Sequence, residues 1–301
     1  MNINSELTIQ DFGVLMADRV KDTLGENVSV EYKEIIKNNG VVHHALVIKR
    51  DGDNVAPTIY IEEFYREYRK EKDTSNLPEL IADFYRKNSG RDLDVEFFSD
   101  FAKVCANLTF RVVNIEKNKE MLKDVPYKKF EDLALVPLCS IRNHSIGNGS
   151  IVIHKQHLSH WEVSYDELWE NVFEHAKEVS KVRIESIFKF VSDKTGIPFE
   201  DIEEKIYVIT NESMLYGAAV AFYPGVLKNV AKKVGSDLII IPSSVHEMIV
   251  VPAHEQLVGI RELIMMIREV NETVVCDEEV LSNNAYYYDA AEDIIRIAES
   301  C

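Results

Sequence analysis

The feature that most constrains the fold is a pair of short apolar runs, Leu238–Ile241 and Met248–Val251, separated by the polar stretch Pro242–Glu247. Runs this short fall far below the roughly 20 apolar residues that a helix needs to cross a bilayer. Bounded by turn-forming residues, they read as buried strands. The expectation is that Leu238–Ile241 and Val245–Val251 are adjacent, joined by a turn at Pro242–Ser244.

The segments around this pair alternate between strand and helix patterns. Phe12, Leu15, Met16, Val20 and Leu24 recur at helical spacing, and Gly25 stands where a helix C-cap belongs. Val28–Ile36 and Val41–Ile48 carry strand-forming residues, and Asn38-Asn39-Gly40 between them favours the left-handed turn of a hairpin. A strand over Pro57–Tyr60 and helices over Glu62–Arg69 and Leu77–Lys87 follow. Leu108–Ile115 and Leu133–Ile141 read as strands around a short helix at Lys119–Leu122, and Ile151–Ile153 reads as an extended segment. Ser164 with Glu167 forms a capping box that opens a helix through Trp169, Val172, Phe173 and Ala176. After a break at Thr195–Pro198, the reading is strand at Ile206–Ile209, strand at Ala218–Phe222 and helix at Pro224–Val234. The chain then closes with the apolar pair, a helix at Glu255–Val270 and a terminal helix at Asp289–Ser300.

Neighbouring strands mixed with helices predict an α+β fold of mixed, largely antiparallel sheets with covering helices. A chain of 301 residues makes one or two compact domains, and the Gly-containing stretch 143–150 is the expected boundary between domains at 1–142 and 151–301.

Charge narrows the partners. With 51 acidic against 34 basic side chains, the formal net charge is -17, which repels nucleic-acid backbones and anionic lipid surfaces. Basic runs such as Arg66-Glu67-Tyr68-Arg69-Lys70 are interleaved with acids and read as a solvated helix face. No direct nucleic-acid or membrane partner is expected. Cys105, Cys139, Cys276 and Cys301 are scattered without metal-ligand spacing, which fits a reducing cytoplasm and no structural disulfide. The first residues lack the basic start and continuous apolar core of a secretion signal.

A set of short motifs in fixed order runs along the chain: Lys37-Asn38-Asn39-Gly40, Pro57-Thr58-Ile59-Tyr60, Asn118–Leu122, Glu131–Ala134, Asn211-Glu212-Ser213, Gly217-Ala218-Ala219, Val234–Leu238, Pro242–Glu247 and Leu281-Ser282. In this order the chain resembles the uncharacterised bacterial family numbered 5688 among domains of unknown function. Its C-terminal layout is distantly similar to the family numbered 1444. Neither resemblance implies an activity or a set of catalytic residues.

Four polar clusters are candidates for chemistry. Ser243, Ser244, His246 and Glu247 supply the residue types of a hydrolase, but in an extended strand Ser244 and His246 share one face while Glu247 points to the other. No G-x-S-x-G elbow is present, so a hairpin whose serines satisfy turn backbone groups is the favoured reading. His246, Glu247, His254 and Glu255 offer imidazole and carboxylate, but the eight-residue offset is not the i, i+4 spacing of a zinc helix. His154, His157 and His160 beside Trp161 read as the surface of a helix start. No metal and no cofactor are expected. Asn211, Glu212 and Ser213 follow a strand and are candidate binding residues, with turn capping as the alternative. Phe64, Tyr65, Tyr68, Phe84 and Tyr85 sit at helical spacing and read as core, whereas Tyr286-Tyr287-Tyr288 cannot all face one core, which makes Tyr287 a further binding candidate.

The expected function is therefore a non-catalytic binding or accessory protein that engages a protein partner. A hydrolase around Ser243, Ser244 and His246 and an acidic nucleic-acid mimic are the alternatives.

Overall fold

The computed structural model describes residues 6–53, 56–89, 96–143, 147–198, 205–255 and 258–298. The chain divides into two compact units, 1–95 with 143–147, and 96–142 with 148–301.

The first unit opens with α1 (Ile9–Leu24), where the Thr8 hydroxyl accepts the Asp11 amide and Gly25, at φ 95°, ends the helix with its amide on the Lys21 carbonyl. Phe12, Met16 and Val20 lie on one helical face and are buried. They cover a three-stranded antiparallel sheet of β1 (Val28–Ile36), β2 (Val42–Arg50) and β3 (Thr58–Tyr60), ordered β1-β2-β3. Asn39 (φ 60°) and Gly40 (φ 74°) supply the left-handed conformations that reverse the chain between β1 and β2. The helices α2 (Glu62–Glu71) and α3 (Leu77–Asn88) complete this core with Tyr68, Ile81 and Tyr85. Phe84 instead lies exposed.

The second unit runs through α4 (Phe101–Cys105), β4 (Leu108–Asn114), α5 (Lys119–Leu122), β5 (Lys128–Phe130), β6 (Leu133–Asn143) and β7 (Gly147–Val152). These strands make a four-stranded sheet in which β6 pairs with β4, β5 and β7. Then come α6 (Lys155–Trp161), α7 (Tyr165–Val179), β8 (Val182–Ser186), α8 (Ile187–Thr195), β9 (Tyr207–Asn211), a 3-10 segment at Gly217–Phe222 and α9 (Val226–Val234). The chain ends with β10 (Leu238–Pro242), β11 (Met248–Pro252), α10 (Ile260–Thr273), β12 (Tyr286–Asp289) and β13 (Ile294–Ile297). Strands β8 to β13 form a six-stranded antiparallel sheet ordered β13-β12-β10-β11-β9-β8. One core gathers Phe110, Trp169, Val172, Ile209, Ile240 and Tyr286 from both sheets and α7. A smaller one places Leu263 and Ile267 of α10 with Ile239 and Ala285. The fold is α+β, and the apolar pair is adjacent and antiparallel, Ile239 opposite Val251 and Ile241 opposite Ile249.

Several local expectations are corrected. Ala218–Phe222 is not a strand: Gly217 sits so close to β9 that a Cβ would lie 2.2 Å from Thr210 Oγ1, and the small residues after it wind into a buried 3-10 segment. The expected terminal helix at Asp289–Ser300 is, over its described residues, the second half of a hairpin. Asp293 takes φ 58° in the turn, and Ile294–Ile297 alternate exposed and half-buried as β-branched residues on a sheet do. The strand expected from Val245 starts at Met248, because 243–247 form a loop. The helix expected from Glu255 starts at Ile260 after Gly259. The two compact units part after 95 and also at 142–143 and 147–148, the last two within or beside the 143–150 stretch, which holds the β6–β7 connection and of which 144–146 lie outside the described residues.

Candidate functional site

The loop between β10 and β11 holds the hydrolase candidates. Ser244 is buried, and its Oγ accepts the backbone amide of His246 at 3.0 Å, while its own amide donates to the Glu247 carbonyl. The His246 ring faces the other way. Its Nδ1 accepts the Tyr216 amide at 3.1 Å, which leaves the proton on Nε2, 3.3 Å from the Glu279 carboxylate. Thr210 Oγ1 donates to the His246 carbonyl and the Ala218 amide to the Val245 carbonyl, and these bonds to the loop backbone dock it onto β9 and the 3-10 segment. Glu247 pairs with Lys194 at 3.9 Å. The side chains of Ser244, His246 and Glu247 therefore have three separate sets of partners, and Ser243 sits half-buried beside them.

Asn211 likewise closes a turn. Its Nδ2 donates to the Leu215 carbonyl and to Ser180 Oγ, and its Oδ1 accepts from the Ser213 hydroxyl and the Leu215 amide. This bonding holds Met214 and Tyr216 at positive φ, the second of which presents its amide to His246. Glu212 is exposed and lies 3.9 Å from Lys181.

The tyrosine triple splits as strand alternation requires. Tyr286 and Tyr288 are buried on one face, with hydroxyls donating to Asp132 Oδ1 at 2.7 Å and Asp293 Oδ1 at 2.6 Å. Tyr287 lies on the opposite face and donates to Asp237 Oδ2 at 2.5 Å, with Arg296 over its ring. That bond pushes the Tyr287 hydroxyl up to about 12 and draws the Asp237 carboxyl below its ordinary value. Asp132 also accepts from Ser282 and Asn284, which makes it the centre of a network that sequence reading missed, because its partners lie some 150 residues away. A pocket of about 420 Å³ opens beside it, lined by Lys117, Lys129 and Asn283 among others.

His154, His157 and Trp161 run from the N-cap to the last residue of α6: His154 Nδ1 lies 3.1 Å from Asp124, the His157 ring meets Phe98 edge-on, and the Trp161 indole donates to the Phe98 carbonyl. His254 bonds Ser236 and lies 3.4 Å from Glu255. Among the described residues, no group of three or more His, Cys, Asp or Glu could hold a metal ion, and no helix is long and apolar enough to cross a membrane. Cys105, Cys139 and Cys276 are free thiols, and burial pushes that of Cys139 up to about 12.

Fold and site together define an α+β protein in which the polar clusters expected to carry chemistry are tied into its own turns and strands. The chain belongs to the family of unknown function numbered 5688, whose match covers residues 9–290. Comparison with curated proteins and with solved structures gives no match.

Proposed function

We propose that this chain is a non-catalytic binding protein of the bacterial cytoplasm that engages a basic, amphipathic segment of a protein partner through the outer face of α10. The observation that carries this reading is a row of exposed apolar side chains, Met266, Val270 and Val274, with Met265 beside it. Residues four apart on a helix stack on one face, which joins Met266 and Val270, Val274 follows as the C-cap residue past the helix end, and Glu262 and Glu269 are the helical neighbours of Met266 as Arg261 and Arg268 are of Met265. Unbranched methionines on a surface adapt to varied apolar partners, and flanking carboxylates select basic residues over acidic ones. The closed bonding of Ser244 and His246 favours binding over hydrolysis, and the -17 charge alone is what a nucleic-acid mimic would rest on.

The test is fluorescence anisotropy with a labelled Leu/Lys peptide of helical amphipathic spacing and its scrambled counterpart. The helical peptide should bind at least about 10-fold more tightly, and Met266→Glu with Val270→Asp should remove that preference. Equal binding of both peptides, or an unchanged affinity in the double variant, refutes the reading.

A further inference from the structure

A second concavity lies in the same unit, bounded by β5, the 3-10 segment, the start of α9 and the β12–β13 hairpin, with a volume of about 510 Å³. That is the size of pockets that take small organic molecules. Its walls are apolar: Phe130, Leu135, Phe222, Leu227, Tyr288 and Ile295 line it, and Phe130 and Phe222 meet edge to face with centroids 5.0 Å apart.

Its rim is positive in a chain that is otherwise strongly negative. Lys128 is exposed at one side with its Nζ 5.4 Å from the centre of the Phe173 ring, whereas Lys129, next on β5 with its side chain on the opposite strand face, borders both this cavity and the pocket beside Asp132. The acid among the described lining residues, Asp293, is already engaged: Tyr288 donates to it at 2.6 Å and Lys228 lies 3.5 Å away. The Tyr288 bond holds the Asp293 carboxyl below its ordinary range, so it stays a bound anion rather than a free one offered to a cation. Gly225 and Leu227 bring the first turn of α9 to the wall, and Gly225 as N-cap has no side chain to accept that turn's amides.

We propose that this cavity binds a small amphipathic carboxylate, its aryl or acyl body against Phe130, Phe222 and Leu227 and its anionic head at the Lys128 rim. A neutral ligand of the same shape would gain the apolar burial but leave Lys128 to water, while a cation would meet a like charge. The site shares no residue with α10, so this inference stands apart from the peptide-binding reading.

Ligand-observed NMR on the full chain tests it, with naphthoate and octanoate as anions and naphthylmethanol and octanol as their uncharged counterparts. At least one anion should saturate the protein and bind about 10-fold or more tightly than its alcohol. Success of naphthoate alone, octanoate alone or both identifies the body as aryl, acyl or either. Lys128→Gln, at an exposed position, should abolish the preference for the anion while leaving the circular dichroism and urea midpoint unchanged, and Lys129→Gln should retain the preference. The Met266→Glu and Val270→Asp variant should bind the anion as the parent does. Failure of both anions to saturate by about 10 mM, parity with the alcohols, or an undiminished preference in Lys128→Gln overturns the proposal.

Discussion

Ser244 and His246 meet through the backbone: the serine hydroxyl accepts the histidine amide at 3.0 Å, and the imidazole turns away to Tyr216 and Glu279. Ser244→Ala leaves that amide without its acceptor and should cost about 1 kcal/mol in urea denaturation. Ser243→Ala should be close to neutral. Neither residue should be labelled by a fluorophosphonate probe, and labelling of Ser244 that weakens in His246→Ala would establish the hydrolase instead.

Among the glycines whose surroundings are described, Gly217 has the least room. An added Cβ would lie 2.5 Å from the His246 carbonyl and 2.7 Å from the Asn211 amide, both backbone atoms that cannot step aside alone. Gly217→Ala should destabilise the second unit by about 3 kcal/mol, the upper end of what overpacking costs, read as a fall in the thermal midpoint. An unchanged midpoint would show that β9 and the 3-10 segment do not pack this closely.

Asp132 accepts from Ser282, Asn284 and Tyr286. Asp132→Ala strands three donors, of which the Tyr286 hydroxyl is deeply buried, and should cost about 2–3 kcal/mol. Tyr286→Phe removes one bond and its donor together and should cost about 1 kcal/mol. Equal costs for the two variants in urea denaturation would mean that Asp132 acts through Tyr286 alone.

The Tyr287–Asp237 bond predicts a pH dependence at both ends. Asp237 has a folded pKa below its ordinary 3.8, so the bond's contribution is present above that value and fades as pH falls through the lowered one. Tyr287 is raised from 10.0 to about 12, so the contribution is full below pH 10 and lost as pH rises through about 12. Ultraviolet titration should show one tyrosine ionising near 12 that Tyr287→Phe removes. In Asp237→Asn the stability loss on acidification through the carboxylate range should become shallower.

Much of the fold is legible because local signals agree with the tertiary outcome. Asn39 and Gly40 carry their own turn geometry, Ser164 caps its own helix, and Leu238–Ile241 must be buried wherever they lie. The misses occur where the neighbour that decides the conformation is distant in sequence. Nothing in Gly217–Phe222 announces that Thr210 and His246 crowd its first residue. Ile294–Ile297 become a strand because Tyr286–Asp289 offer an edge. The candidate residues themselves were visible, but their roles depend on Glu279, Tyr216 and Asp132, none of which carries a motif. The 510 Å³ cavity draws on five separate stretches of chain and has no signature in any of them.

The β12–β13 hairpin also guards the molecule against its own chemistry. In the sheet order, β12 covers the outer edge of β10, whose sequence Leu238-Ile239-Ile240-Ile241 holds no charge to discourage a foreign strand. Natural edge strands commonly carry lysine, proline or a bulge against such pairing. Here β13 takes the outermost place, with Arg296 on it, so that two strands lie between the isoleucine ladder and the edge. Shortening the chain before Tyr286 would bare that ladder along its whole hydrogen-bonding side, and the expected product is an aggregating species rather than a smaller folded one.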